Sequence, residues 1–194
     1  MARIDAVVAG LVLAAGGSRR LGRPKQLLPF GRATLLDHTL ATARECRFDQ
    51  LLVAIGGAAD EVRAQVDLSG ADVVVNDAYG EGCSSSIAAA MGALDRRAEL
   101  LVLLLGDQPG VTCDTVAALL TGRGDAELAV CRYDDGLGHP FCFSRALFDT
   151  LRALHGDKAV WKLVAAGGDA VAKVPVEGPV PIDVDTWADY EAVR

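Results

Sequence analysis

Aromatic residues, histidines and long apolar runs are all scarce in this chain of 194 residues. Phe, Trp and Tyr make up 5% of it, whereas hydrophobic residues together make up 51%, so Val, Leu and Ala must form most of the core. The longest apolar run near the N-terminus, residues 6–15, is too short to cross a bilayer and leads into Gly-Gly-Ser-Arg-Arg. We therefore expect neither a membrane partner nor a secretory signal.

The five cysteines are widely spaced, odd in number and without a C-x-x-C pair, and no two of the three histidines are spaced as metal ligands. This pattern argues against a disulfide framework and against a zinc site. It favours reduced thiols and a cytoplasmic location.

The net charge of −7 disfavours nonspecific binding to nucleic acid or to an anionic membrane. Residues 6–36 nevertheless contain no acidic side chain. Five cations fall within that stretch: Arg19, Arg20, Arg23, Lys25 and Arg32. Such a concentration in an acidic protein predicts a local anion as ligand, although charge alone is equally compatible with a solvated basic loop.

Hydrophobic runs alternate with helical patterns along the whole chain. Strands are predicted at 7–14, 50–56, 71–75, 100–107, 128–132, 140–143 and 170–176. Helices are predicted at 34–47, 58–66, 84–97, 114–120, 144–154, 157–164 and 187–193, with Thr34, Ser144 and Asp157 as N-caps. This alternation predicts a single α/β domain over residues 1–194, with a mainly parallel sheet and helices on both faces. Loops 15–31, 76–86 and 106–112 should meet at the carboxyl ends of the strands, where such sheets bind ligands.

The first of these loops has the composition of a phosphate site. Gly16-Gly17-Ser18 follows a predicted strand directly, and glycines let the backbone approach phosphate oxygens closely. Arg19, Arg20 and Lys25 then supply positive charge. The loop is neither a Walker A motif nor a G-x-G-x-x-G dinucleotide motif. An ordinary glycine turn with surface arginines is the alternative, which the loop's length and lack of acids disfavour.

Carboxylates follow two other predicted strands. Asp107 leaves the most hydrophobic strand and is placed to bind magnesium, or else to cap a turn. Asp183 and Asp185 alternate in an extended segment, so both face the same side, and one of them could complete a metal site with Asp107. Capping of the last helix by Asp185 or Thr186 is the alternative.

Two weaker features remain. Gly82-Cys83-Ser84-Ser85-Ser86 opens a predicted helix, where hydroxyls and free N–H groups bind phosphate or ribose, or simply cap the helix. His139 could lie beside an acceptor substrate, but a lone histidine is more often structural.

Together these features resemble the MobA-like nucleotidyltransferases, and among them the molybdenum cofactor cytidylyltransferases. The matching segments are LVLAAGGSRRLGRPKQLLPFG at 11–31, GEGCSSSI at 80–87, LLGDQP at 104–109, GHPFCF at 138–143 and PIDVDTWADY at 181–190. They span nearly the whole chain, and the first is the most specific. Cys83 departs from the pattern, because relatives often carry Met there, and this weakens the assignment of acceptor contacts.

The resemblance implies a Rossmann-like three-layer sandwich of the nucleotide-diphospho-sugar transferase type. It implies that Asp107, Asp185 and, behind them, Asp183 bind Mg²⁺ or Mn²⁺, and that Lys25, Arg20 and Asp107 are catalytic. The nucleotide site would comprise Leu13, Ala14, Ala15, Gly16, Gly17, Ser18, Arg19, Arg20, Lys25, Gly82 and Ser84. Ser85 and His139 would contact the acceptor.

The implied reaction transfers CMP from CTP to the phosphate of molybdopterin and releases pyrophosphate, in the service of a molybdenum hydroxylase or its maturation factor. CTP is expected because Ala14-Ala15-Gly16 resembles the cytidine type of the family, whereas guanylyl-transferring relatives tend to carry Ala-Gly-Gly. The alternatives are GTP as donor, another phosphate acceptor, an accessory protein that binds the cofactor without catalysis, and a nicotinamide-dependent reductase. The absence of a dinucleotide motif argues against the last, and Lys25, Asp107 and Asp185 argue against a noncatalytic binder.

Overall fold

A buried strand, β1, lies between two parallel neighbours in the seven-stranded sheet of the computed structural model, which describes residues 6–18, 20–156 and 158–194. The roles predicted for Arg19 and Asp157 lie outside the described residues. The strands are β1 Val8–Ala14, β2 Pro29–Phe30, β3 Ala33–Thr34, β4 Gln50–Ile55, β5 Asp72–Val75, β6 Leu100–Leu105, β7 Leu128–Arg132, β8 Leu137–Ser144 and β9 Ala172–Pro175. The helices are α1 Leu35–Glu45, α2 Ala59–Gln65, α3 Cys83–Ala93, α4 Cys113–Gly122, α5 Phe148–Arg152, α6 Ala159–Gly167 and α7 Trp187–Val193.

The main sheet has the order β5-β4-β1-β6-β8-β7-β9, and β2 and β3 form a separate small hairpin. Every strand of the main sheet runs parallel to its neighbours except β8, which is antiparallel to both β6 and β7. The next strand of the main sheet in the chain after β1, β4, pairs with one edge of β1, and β6 pairs with the opposite edge. The order therefore reverses beside β1, and a crevice forms at such a point, outside the carboxyl ends of the strands.

Side chains of the sheet alternate between two apolar cores. Val8, Val12 and Ala14 of β1 belong to the core that α1, α2 and α4 cover, whereas Ala9 and Leu11 belong to the one that α3, α5 and α6 cover. This alternation is the period-two pattern of a strand buried on both faces. The predicted α/β class, with helices on both faces of a mainly parallel sheet, is confirmed. Within the described ranges, no helix is long and apolar enough to span a bilayer.

Local signals set several element boundaries. Thr34 caps α1 through the backbone N–H of Asp37, whose carboxylate accepts in return from the N–H of Thr34, as predicted. The predicted helix 84–97 ends early, at Ala93. The reason is a tertiary contact, because the Gln50 amide donates to the Ala93 carbonyl and accepts from the Asp95 N–H.

The prediction of a Ser144 cap is wrong. Ser144 is the last residue of β8 and its backbone N–H donates to the Glu127 carbonyl, so the residue belongs to the sheet. Its hydroxyl makes no capping bond, a 3-10 turn at Arg145–Leu147 follows, and α5 begins only at Phe148. The short extended piece predicted at 140–143 is part of the longer, antiparallel β8.

Candidate active site

A cleft of about 570 Å³ opens where β1 and β6 end side by side. Most of the residues that the sequence assigns to a nucleotide or a metal ion line it. They are Leu13, Ala14, Ala15, Gly16, Gly17, Ser18, Arg20, Lys25, Gly82, Asp107 and Asp185. The loops after the two strands therefore meet at the crevice that the sheet order predicts.

Lys25 joins the two carboxylates of the cleft. Its ammonium contacts the Asp107 carboxylate and lies 2.8 Å from Oδ1 of Asp185. The Lys25 and Asp107 side chains are only 15% and 13% exposed, so this contact is largely withdrawn from water. Arg20 donates to the other oxygen of Asp185 at 2.5 Å, from a position that is 67% exposed at the cleft entrance. Two cations and two anions thus form one continuous network.

The network shifts the pKa values of Lys25 and Asp185. Burial alone would lower the pKa of Lys25, but the charge and hydrogen bond of Asp107, followed by those of Asp185, outweigh it and raise that pKa. Burial likewise opposes ionisation of Asp185, yet the Lys25 hydrogen bond and charge, with help from Arg20, hold its pKa below the usual range. The charged forms of Lys25 and Asp185 are therefore favoured.

A backbone contact places Asp185 beside Asp107. The N–H of Val184 donates to the Asp107 carbonyl at 3.0 Å, and the Gln108 amide donates to the Pro181 carbonyl at 3.1 Å. Val184 is fully buried. It packs in a third apolar cluster whose members are Leu21, Leu28, Leu35, Val184 and Tyr190. Through this cluster, the loop of residues 15–31 packs against the C-terminal segment 181–194.

Capping of α7 is separate from the cleft. Thr186 accepts from the N–H of Asp189, whose carboxylate accepts in turn from Thr186, so these two residues form the capping box. Of the two candidate caps, Thr186 therefore has the role. The Asp185 side chain remains directed at Lys25 and Arg20.

Asp183 occupies a different position from Asp185. The residue is exposed overall and does not line the cleft. Partial desolvation of its carboxyl, followed by the nearby charges of Asp107 and Asp185, raises its pKa to about 6. It is thus within electrostatic reach of both carboxylates without lining the cleft.

Two side chains shape the loop that carries the cations. Ser18 has a left-handed backbone, with φ of 48°, and its hydroxyl accepts from the N–H of Lys25 at 2.9 Å. Such a conformation costs a non-glycine residue about 1 kcal/mol or more and is common at functional sites. Gln26 is only 2% exposed, and its amide nitrogen donates to the Ala14 and Gly16 carbonyls. These bonds hold the glycines against the end of β1.

Besides Asp183, three predicted residues lie outside the cleft lining. Ser84 is buried at 2% exposure, and the Ser85 hydroxyl donates towards the Ala78 and Gly82 carbonyls. His139 packs its ring against Phe141 and Trp161, and burial lowers its pKa to about 3.

Several lining residues had no individual role predicted from the sequence, although the 82–86 segment as a whole did. They are Gln26, Tyr79, Gly80, Cys83, Ser86, Leu105 and Gly106. Helical spacing offered a signal for Ser86, since residues 82 and 86 share a helix face. Gln26 and Tyr79 carry no local signal, because their positions depend on contacts between separate loops.

The oxygen ligands of the cleft suit a hard divalent cation. Within the described part of the chain, no group of three His, Cys, Asp or Glu side chains is arranged to hold a metal ion by itself. Asp107 and Asp185, however, converge on one cationic atom. Magnesium is commonly bound in this way, by one or two carboxylates together with substrate phosphates. The pair therefore fits a cation that arrives with a nucleotide.

Comparison with known proteins relates the chain to nucleotidyltransferases. Residues 10–171 match the MobA-like NTP transferase domain family. A nicotine blue oxidoreductase from Paenarthrobacter nicotinovorans is 32% identical over 148 residues, which are 72% of each chain. A molybdenum cofactor cytidylyltransferase from Escherichia coli K12 is 28% identical over 148 residues, 75% of this chain and 72% of the relative.

Several solved structures share the fold of this chain. A homologue of Mycobacterium tuberculosis Rv0371c, from Mycobacterium sp. strain JC1, is 56% identical with a TM-score of 0.91, over 96% of this chain and 94% of the other. Rv0371c in complex with manganese is 48% identical with a TM-score of 0.85, over 96% and 97%. A nucleotidyl transferase from Methanothermobacter shares the fold, at 22% identity and a TM-score of 0.79 over 97% and 96%.

Proposed function

This chain belongs to the family of MobA-like NTP transferase domains, and from that premise we propose that it transfers CMP from CTP to the phosphate of molybdopterin. The observation that carries the proposal is the convergence of Lys25, Asp107 and Asp185 at the ends of β1 and β6. A protein that only stored or delivered a cofactor would have no use for opposed charges arranged to receive a triphosphate and its metal ion.

The reaction needs no nucleophile from the protein. A phosphate oxygen of the acceptor forms a bond to the α-phosphorus of CTP, and the bond from that phosphorus to the oxygen bridging the β-phosphorus breaks. The electron pair leaves with pyrophosphate. The protein contributes position and charge, which are the main sources of rate in phosphoryl transfer.

Lys25 and Arg20 neutralise the negative charge that develops on the transferred phosphate and on pyrophosphate. Both already direct their donors into the cleft, where they pair with Asp185. Gly16 and Gly17 are exposed on the cleft wall and carry no side chain that would keep phosphate oxygens from the backbone. When the nucleotide binds, its phosphates replace the carboxylates as partners of the two cations.

Asp107 and Asp185 are the residues that would hold Mg²⁺ or Mn²⁺, with Asp183 behind them. When bound, the metal ion adds positive charge at the α-phosphate. The manganese complex of Rv0371c, a protein 48% identical to this chain, supports a divalent ion in the family. Asp107 is fixed by its strand end and Asp185 by the Val184 contact, so both ligands are oriented before the nucleotide arrives.

The identities of the donor nucleotide, CTP, and of the acceptor, molybdopterin, are the most specific elements of the proposal. The cytidylyltransferase from Escherichia coli supports them, as does the Ala14-Ala15-Gly16 sequence of the first loop. A molybdenum hydroxylase, or a factor that matures it, would then receive the product.

A pyrophosphate-release assay tests the proposal. Purified protein is supplied with Mg²⁺ and molybdenum-loaded molybdopterin, and CTP is compared with GTP. We expect pyrophosphate with CTP only, dependent on the acceptor, and a cytidylylated product by mass spectrometry. Equal turnover with GTP would contradict the nucleotide assignment. Turnover with a sugar phosphate in place of molybdopterin would contradict the acceptor.

A nicotinamide-dependent reductase is the second candidate, because the relative from Paenarthrobacter nicotinovorans is named an oxidoreductase. The first loop lacks the glycine spacing of a dinucleotide motif, and its cations suit a triphosphate better. Titration with NADPH and NADH decides between the two candidates. Tight binding of either, together with loss of nicotinamide absorbance on adding a quinone-like acceptor, would favour the reductase.

A further inference from the structure

Tyr79 is an exposed aromatic residue that lines the cleft, and one pair of glycines, Gly56 and Gly57, makes room for it. The residue is 41% exposed. A Cβ placed on Gly57 would lie 3.0 Å from ring carbon Cε2 of Tyr79, and one placed on Gly56 would lie 2.8 Å from the tyrosine Cβ. A Cβ on Gly17 would lie 3.6 Å from the same ring carbon. Side chains at positions 56 and 57 would therefore collide with Tyr79, whereas position 17 lies at ordinary contact distance from the ring.

A buried hydrogen-bond network fixes the turn that presents Tyr79. The 3-10 turn Tyr79–Glu81 follows Asn76, which is only 4% exposed. The Asn76 side chain donates to the hydroxyls of Ser85 and Ser86 and accepts from the N–H of Ala78. Ser85 in turn donates to the Ala78 carbonyl. The turn that carries the ring is thus fixed by hydrogen bonds. Little conformational entropy is therefore lost when a ligand packs against the ring.

The first loop places this ring close to the charged network. A Cβ on Gly16 would lie 3.8 Å from Cε of Lys25, whereas one on the next residue, Gly17, would meet the Tyr79 ring. Position 16 of the loop therefore lies beside the Lys25 side chain, and position 17 lies beside the Tyr79 ring. A ligand with an anionic part and a planar part a few atoms apart matches that arrangement, and a nucleotide is such a ligand.

From this geometry we propose that Tyr79 is the stacking residue for the nucleobase of the donor nucleotide. The inference rests on the proposed function and adds a positioning and affinity role for a side chain outside the phosphate loop. Aromatic stacking on a base contributes about 1–3 kcal/mol and tolerates different bases. Tyr79 therefore supplies affinity, and selection of cytosine belongs to other groups of the cleft.

Direct binding measurements test this inference without requiring turnover. Isothermal titration calorimetry in Mg²⁺ compares CTP and GTP with inorganic triphosphate on the wild type, Tyr79→Leu and Tyr79→Phe. We expect Tyr79→Leu to weaken CTP binding about 5- to 150-fold, the range that corresponds to the stacking energy. Affinity for inorganic triphosphate should stay within about twofold, and Tyr79→Phe should restore CTP binding because it keeps the ring. Trp161→Leu, which removes an exposed aromatic side chain outside the cleft lining, is the matched control.

Other outcomes overturn the inference. Equal weakening of CTP and inorganic triphosphate would show that Tyr79 only supports the loop. Unchanged CTP affinity, with a raised KM for molybdopterin, would assign the ring to the acceptor. If the wild type binds neither CTP nor GTP, both the inference and the proposed function fail. If it binds CTP with the expected Tyr79 dependence but transfers nothing to molybdopterin, only the proposed reaction fails.

Discussion

The ammonium of Lys25 lies 2.8 Å from Oδ1 of Asp185, across a separation of 160 positions in the chain. The same ammonium contacts Asp107, so one cation neutralises two carboxylates that would otherwise repel each other. Lys25 thus occupies the place between the carboxylates that the proposed function gives to a divalent cation. The lysine and the metal ion should therefore compete for the same two ligands.

Replacing Lys25 should make this competition measurable. In Lys25→Met the two carboxylates lose their shared counterion, so Mn²⁺ should bind about fivefold or more tightly in the absence of nucleotide, since close opposite charges interact strongly at a largely buried site. Binding of CTP should weaken at the same time, because the triphosphate loses a cation. Titration of free Mn²⁺ by electron paramagnetic resonance measures the first effect and calorimetry the second. Lys162→Met, on the exposed side of α6, is the matched control. Unaltered Mn²⁺ affinity in Lys25→Met would rule out the competition.

Removing the Asp107 carboxylate should abolish transfer without unfolding the protein. Lys25 keeps Asp185 as a partner in Asp107→Ala, and the Val184 bond to the backbone carbonyl of residue 107 does not need the side chain. We expect pyrophosphate release to fall by about 100-fold or more, as when one preorganised charge-stabilising group is lost. The melting temperature should change by only a few degrees. Asp149→Asn, an exposed acid on α5, controls for loss of charge. Near-normal turnover in Asp107→Ala would refute the metal assignment.

The stability of the protein should fall more when the Gln26 side chain is replaced by a charged one than when it is replaced by an apolar one of similar size. Gln26→Met removes both hydrogen bonds to the first loop and leaves buried carbonyls without donors, which costs about 1–3 kcal/mol. Gln26→Glu should be worse at neutral pH, because a carboxylate would face the Ala14 and Gly16 carbonyl oxygens. Chemical denaturation measures the stability loss, and CTP titration shows whether the loop has moved. If Gln26→Glu proves as stable as the wild type at neutral pH, the amide does not brace the loop.

His139 should make stability depend on pH. Burial lowers its pKa in the folded protein to about 3, from an ordinary value of 6.5. Between these two values the unfolded chain binds a proton that the folded protein does not, so stability falls as pH decreases through this window. His139→Gln should be less stable than the wild type at pH 7 but should lose less stability between about pH 6.5 and 4. Urea unfolding at several pH values measures both.

His155→Gln, at an exposed position, separates the effect of the buried ring from loss of a histidine in general. Parallel pH profiles for wild type and His139→Gln would contradict the assignment.

Much of the fold follows from local patterns. The capping boxes that begin α1 and α7, the apolar face of α1 and the central strands β1, β4 and β6 all lie close to their predicted positions, because hydrophobic period and cap chemistry are properties of neighbouring residues. The antiparallel direction of β8 and the early end of α3 were not predictable in this way. Both depend on partners far away in the chain, Leu100 to Leu103 for β8 and Gln50 for α3.

The site residues also separate into those that local sequence patterns reveal and those that depend on distant partners. Composition and position at strand ends were enough to select Lys25, Asp107 and the Asp183–Asp185 segment, because an acid-free cationic loop and carboxylates after buried strands are visible in the sequence. Only the tertiary structure decided that Asp185 rather than Asp183 contacts Lys25, that Ser86 rather than Ser84 lines the cleft, and that Gln26 and Tyr79 belong to it. Those outcomes depend on how loops pack against one another. The Val184 contact and the apolar cluster around Leu21 and Tyr190 set that packing, and the pattern of no single segment encodes it.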